Sequence, residues 1–251
     1  MVRADRTEKI GILIFAITLF LCAVQLTELA AEEAVFEDFS NLQNWEGLFF
    51  DNIERHTTYS IAEEGGNSIL RIESISGASG ILFTDTFSVH DFPVIEWRWR
   101  AENIIPGGDA GKKSGDDYPV RIYVLFPYDP AEVGFFERIA FEAAKAIYGE
   151  YPPMASLNYI WANREHEQWA IPNPFTARAM MIPVEEGAAH LGSWREYRVN
   201  LIDDYRRAFG KEPPATASLA VMGDTDNTGS SATAYIDYIR VAALPGGAAD
   251  D

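Results

Sequence analysis

The sequence predicts a mainly β fold, two antiparallel sheets packed as a sandwich, with one helical insertion. Three observations predict it. Apolar and polar residues alternate in short runs, the period of a strand with one buried face. Gly, Asn, Asp and Pro interrupt those runs at short intervals, as turns between strands do. A single long segment, residues 131–148, instead carries apolar residues at helical spacing.

The elements follow in order. Arg3, Arg6 and Lys9 precede an apolar run over residues 10–24, and small residues close it at Ala30 and Ala31. That layout predicts a signal peptide over residues 1–31, with a retained N-terminal anchor as the alternative. Leu21 is too bulky before Cys22 for a lipoprotein signal. One domain is expected over residues 32–243. Strands are expected at 68–74, 94–100, 120–126, 157–163, 177–184, 194–201, 217–222 and 233–241. In the second of these, Ile95, Trp97 and Trp99 share one face and Glu96, Arg98 and Arg100 the other. In the third, Val120, Ile122 and Val124 oppose Arg121 and Tyr123. The insertion near 131–149 starts after Asp129 and Pro130, stops at Gly149, and has Phe136, Ile139, Ala140, Ala143 and Ile147 as its apolar face. A short helix is expected at 202–209, and a disordered tail at 244–251.

The 251 residues include 20 Lys plus Arg and 38 Asp plus Glu, a net charge of −18 that disfavours nucleic acid and anionic membrane surfaces. With 47% hydrophobic and 23% charged residues, the chain is globular rather than disordered. Cys22 is the one cysteine and lies in the expected signal segment, so the mature domain has no disulfide, thiolate metal site or cysteine nucleophile. The sequence has no H-E-x-x-H, G-x-S-x-G, P-loop or G-x-G-x-x-G.

Polar residues in three groups are candidates for a site. Asp224, Asp226 and Asn227 in the run GDTDNTG put hard oxygens on a turn. This suits Ca²⁺ on Asp224 and Asp226, or a self-bonded Asx turn, but Tyr235 stands where an EF-hand requires Glu. Asp117 and Arg121 project from the non-core face of their strand, where they form a ligand-binding pair or a cross-strand ion pair on a solvated face. Arg98 and Arg100 could join Arg121 in a basic strip. Asn158, Trp161 and Asn163 combine an aromatic plane with amides that read hydroxyls, although Trp161 shares a face with Leu157 and so also reads as core. Trp45 and Trp169 fall in loop-like contexts and are expected as exposed stacking platforms.

Five segments in this order, GDDYPVRIYV (115–124), LNYIWAN (157–163), NPFT (173–176), DDYR (203–206) and GDTDNTG (223–229), resemble the bacterial secreted family of domain of unknown function 3047. The resemblance covers nearly the whole mature chain and implies no activity. FEDF (36–39) and AYIDYIRV (234–241) bracket the domain in a way similar to galactose-binding-like sandwiches, which implies a jelly roll and carbohydrate binding. The first functional reading is an exported, periplasmic or extracellular, non-catalytic domain that binds a glycan or small polar ligand without a cofactor. One alternative is a polysaccharide hydrolase or lyase with Asp117 and Asp224 as its carboxyl pair. The other is an assembly protein that docks a partner through the helical insertion.

Overall fold

Alternating runs become strands wherever one face can reach a shared core. The computed structural model describes residues 32–131, 133–148 and 151–244; the expected signal segment with Cys22, and residues 245–251 of the expected tail, lie outside them. In chain order the strands are β1 (Glu33–Glu37), β2 (Trp45–Leu48), β3 (Thr58–Glu64), β4 (Asn67–Ile75), β5 (Ala78–Phe83), β6 (Phe87–Ser88) and β7 (Val94–Ala101). They continue as β8 (Tyr118–Phe126), β9 (Ala155–Ala162), β10 (Ile171–Pro172), β11 (Ala179–Glu186), β12 (Arg195–Asn200), β13 (Thr216–Asp224) and β14 (Ser231–Ala242). The helices are α1 (Phe135–Tyr148) and α2 (Leu201–Phe209).

Within the compact unit Glu33–Ala243 the strands make two sheets, a jelly-roll type of sandwich. The six-stranded sheet runs β12-β7-β14-β4-β3, with β1 also on β14. The eight-stranded sheet runs β10-β11-β9-β8-β13-β5-β2, with β6 on β13. One pair departs from the antiparallel expectation: β9 and β11 run parallel, Ser156 opposite Ala179. The dozen-plus residues between them are enough for the crossover that a parallel pair requires.

The core lies between the sheets. Trp97 and Trp99 of β7 meet Tyr159 and Trp161 of β9 across it, with ring centroids 5.0 and 6.3 Å apart. Val120, Ile122, Val124 and Phe126 line the same layer. Trp45 and Trp169 are not exposed platforms. Trp45 packs between Phe39 and Phe83, and its Nε1 donates to Glu37 at 2.8 Å. Trp169 packs partly buried on the core with the Arg207 guanidinium 4.0 Å over its ring. Helix α2 begins where the Asn200 side chain accepts from the N–H groups of Ile202 and Asp203, and ends at Gly210 (φ 68°). Its Asp204 accepts from Tyr159, which gives the DDYR segment a packing role.

Helix α1 forms within the expected segment, but it starts at Phe135 rather than directly after Pro130 and buries a different residue. Ile139, Ala140 and Ala143 are exposed, and Phe141 is buried instead; the side chains of Phe136 and Ile147 lie outside the description. Phe141 stacks on Tyr128 at 4.1 Å, and Arg178 covers it at 4.4 Å. Docking through one aromatic cluster, rather than along the widest apolar stripe, sets the face. No helix among the described residues is long and apolar enough to cross a membrane.

The candidate site on the outer face of the eight-stranded sheet

The outer face of the larger sheet has a covered half and an open half. Over β9 and β11, the segment between β7 and β8 folds back so that Ala110 packs with Tyr118, Ile160, Ala162, Ile171 and Met181. Asn163 pins this cover: its Oδ1 accepts from Ile105 N–H at 2.7 Å and its Nδ2 donates to the Asp117 carbonyl at 2.6 Å. The four residues Asp117, Arg121, Asp224 and Asn163, expected at a site, therefore meet under a loop rather than at open solvent.

At the boundary between the halves sits a polar network. Arg121, 4% exposed, pairs across strands with Asp224, 2% exposed, and lies 3.7 Å from Asp116. The second Asp224 oxygen accepts from Tyr118 N–H. Asp117, fully buried, is saturated: Oδ1 accepts from the Asn227 backbone and amide at 3.2 Å, and Oδ2 from Thr228 N–H and hydroxyl at 2.7 and 2.6 Å. Asp116 accepts from the Tyr118 hydroxyl and from Asn173. The NPFT and GDTDNTG segments are thus brought to one network by its hydrogen bonds.

Burial dominates the electrostatics. It pushes the Asp224 carboxyl well above the usual range; Arg121 opposes this, while Asp116, Asp117 and Asp226 add to it. Burial, then Asp117, also raises Asp226. For Arg121 burial pulls downward, but Asp224 and its other neighbours outweigh it and hold the guanidinium charged. Carboxylate oxygens of Asp117, Asp224 and Asp226 lie within 4.8 Å of one another. Chain donors give each oxygen of Asp117 two hydrogen bonds and each oxygen of Asp224 one, so of the expected Ca²⁺ ligands Asp224 is partly engaged by its own chain. Asp117 is fully buried and Asp224 2% exposed, so neither presents the accessible oxygens that a glycosidase pair uses.

Other expected residues separate. Trp161 is fully buried in the core, its Nε1 donating to the Gly187 carbonyl, so it offers no face to a ligand. Asn158 lies on the outer face, buried, with its Nδ2 against the Met181 sulfur. The basic strip does not form: Arg98 and Arg100 belong to the six-stranded sheet and point from the opposite side of the sandwich to Arg121. They are held there by Asp237 and by Glu64 and Glu102.

The open half is a groove of about 630 Å³. Leu82, Ala220 and Tyr123 stand in register across β5, β13 and β8 and form its floor. In the next row Gly80 lies between Leu48 and Met222 and, lacking a side chain, leaves the surface concave. Arg121 follows Met222 in that row, its Nη2 3.3 Å from the sulfur, so the polar network backs the end of the groove. Phe49 (61% exposed), Phe50 (38% exposed), Asp51 and Asn52 form one wall. Phe49 rests over the bare α-carbon of Gly47 and against His56, at 4.7 Å between rings. Tyr151, Pro152 and Pro153 form the other wall. Helix α1 braces it: Tyr151 donates to Glu142 at 2.8 Å, and the Lys145 ammonium sits 4.2 Å from the Tyr151 ring. Periodicity does not single out these wall residues. The one signal in the sequence is a Phe49-Phe50 pair placed directly before the turn formers Asp51 and Asn52.

The family described as Protein of unknown function (DUF3047) matches residues 43–240. None of the curated proteins matches. Among solved structures, the chain is similar to a family 11 carbohydrate-binding module of a cellulosomal cellulase from Clostridium thermocellum, at 11% identity and TM-score 0.42, covering 86% of this chain and 96% of that one. It is also similar to an adhesin domain of Lys-gingipain from Porphyromonas gingivalis W83, at 10% identity and TM-score 0.39, covering 84% and 98%. A third likeness is to the seed lectin of Lotus tetragonolobus, at 8% identity and TM-score 0.40, covering 84% and 97%.

Proposed function

The chain belongs to the DUF3047 family, and from that premise we propose that it is a non-catalytic domain that binds a glycan in the groove of the eight-stranded sheet. The observation that carries this reading is the pair Phe49 and Phe50, large apolar side chains left exposed on the wall of an open concavity. Exposed aromatic planes match the C–H faces of sugar rings, and the Tyr123 and Tyr151 hydroxyls, Asp51 and Asn52 supply donors and acceptors for sugar hydroxyls. Binding rather than hydrolysis follows from the placement of the acids. The paired carboxylates are engaged by their own chain, and the groove lining has one carboxylate, Asp51, where hydrolysis uses two. The local charge favours a neutral sugar over an acidic one, since Arg121 is already paired with Asp224 and near Asp116. The basic flank and apolar run of the first thirty-one residues would direct the domain out of the cytoplasm, where glycan polymers are met.

The test is retention in gels cast with soluble polysaccharides, neutral and acidic, with Phe50→Ala run beside the parent. Retardation by a neutral polymer that the variant abolishes is the expected result. Equal retardation of both proteins, or none by any polymer, would overturn the reading.

A further inference from the structure

A bulge in β14 builds a second concave surface on the far side of the sandwich. Strand β14 faces the core with Ala234, Ile236, Ile239 and Val241, so one inward step spans three residues instead of two. The register against β7 slips at that step, between Ile236 and Tyr238. A bulge there puts two consecutive side chains, Asp237 and Tyr238, on the outer face of the six-stranded sheet. Two depressions of about 460 and 270 Å³ adjoin them and share Asn67 and Asp237. The β3–β4 hairpin turns on Gly65 and Gly66, both at positive φ (64° and 90°), and brings Asn67 to the shared rim. Beside Tyr238, in the larger depression, Phe36 is 59% exposed, although its neighbours Val35 and Glu37 on β1 are buried.

An aromatic ring held out from a strand, flanked by an amide, a phenol and carboxylates, fits the apolar face and hydroxyl edge of a sugar. Fixed charge selects among sugars. Glu64 and Asp237 lie with Arg98 at the smaller depression, and Asp38 lies with Asp237 at the larger. Arg98 is bound to Asp237 at 2.5 Å, and Arg100, 4.6 Å from the Trp194 ring, is taken up by Glu64 and Glu102. An anionic ligand would meet net negative charge without a free cation to pair with. We propose that this surface is a second binding site, for a neutral oligosaccharide. It stands independently of the groove, because the two lie on opposite outer faces of the sandwich. Two such sites would let one molecule bridge two polymer chains.

Chemical-shift mapping of backbone amides in the full chain tests this. The probes are uncharged hexamers of glucose, mannose, xylose and N-acetylglucosamine, with hexagalacturonate and hexalysine as charged controls. The expected result is saturable shifts at Asn67, Ser68 and Asp237 with at least one neutral hexamer. Those shifts should weaken about tenfold or more in Phe36→Ala and in Asn67→Ala, two substitutions of exposed side chains, while any shifts near Ala220 and Met222 persist. Shifts confined to the groove, or none on either face, would overturn the proposal. So would binding that both variants leave intact, or a response to hexalysine or hexagalacturonate alone. Shifts at Asn67 with a silent groove would instead retire the groove and keep the second site.

Discussion

Replacing Arg121 by methionine removes the guanidinium and keeps an unbranched side chain of similar reach. The buried carboxylates of Asp224 and Asp116 then lose the cation they face. Breaking one side of a buried ion pair costs about 3–5 kcal/mol. For a chain of this size, each kcal/mol moves the melting temperature by about 2–4 °C, so the expected fall is roughly 6–20 °C at neutral pH. The pH dependence has a definite sign. Burial already raises the Asp224 carboxyl, and loss of the opposing Arg121 raises it further. A carboxyl raised on folding costs stability as pH climbs through its folded pKa. The deficit of the variant should therefore be largest near pH ~7.5 and shrink toward the unfolded carboxyl value of ~3.9. Urea denaturation across that range measures it, and Arg121→Met/Asp224→Asn should recover at least half of the neutral-pH loss. A deficit under about 1 kcal/mol, or one that does not change with pH, would refute the reasoning.

Three other outcomes follow from the same geometry. Asp226→Asn removes a half-buried carboxyl that burial and Asp117 raise; it should stabilise the fold by about 1 kcal/mol near pH ~7.5, allowing for solvent screening, and by nothing near pH ~4, as read by melting. Gly47→Ala places a Cβ 2.5 Å from the Phe49 ring, which must swing away; glycan affinity in the groove should fall about fivefold or more, with the melting temperature moving by less than about 3 °C. Added Ca²⁺ or EDTA should leave the melting temperature within about 1 °C, because Asp117 has both oxygens doubly hydrogen-bonded to its own chain and Asp224 is paired with Arg121; saturation at one hundred times Kd would instead add ~2.7 kcal/mol, a shift of roughly 5–11 °C.

The parts of the fold legible in the sequence are strands whose core-facing positions are apolar at every second residue. Strands β7, β8 and β9 show this alternation and their apolar sets line the core, and β14 shows it on either side of its register slip. Strand β5 did not show, because Ala78-Ser79-Gly80-Ile81 is buried on both faces and gives no alternation. Strand β1 did not show because it inverts the pattern: Glu37 points inward to the Trp45 indole while Phe36 points out. The candidate polar residues do converge, since turn-forming Asp and Asn runs mark the ends of neighbouring strands. Their burial was not legible. It depends on the loop after β7 folding back over β9 and β11, a long-range contact that leaves no local signature. The groove was missed for the converse reason, as Phe49 and Phe50 look like core residues until their surroundings are known.

The central claim is that Phe49 and Phe50 make the groove a glycan site. Titration calorimetry of the parent and of Phe49→Ala/Phe50→Ala with a neutral oligosaccharide bound by the parent tests it most directly. Losing the contact of two aromatic rings should cost about 2 kcal/mol or more, a weakening of at least about 30-fold, with the melting temperature of the free protein unchanged. An affinity equal to that of the parent would contradict the claim.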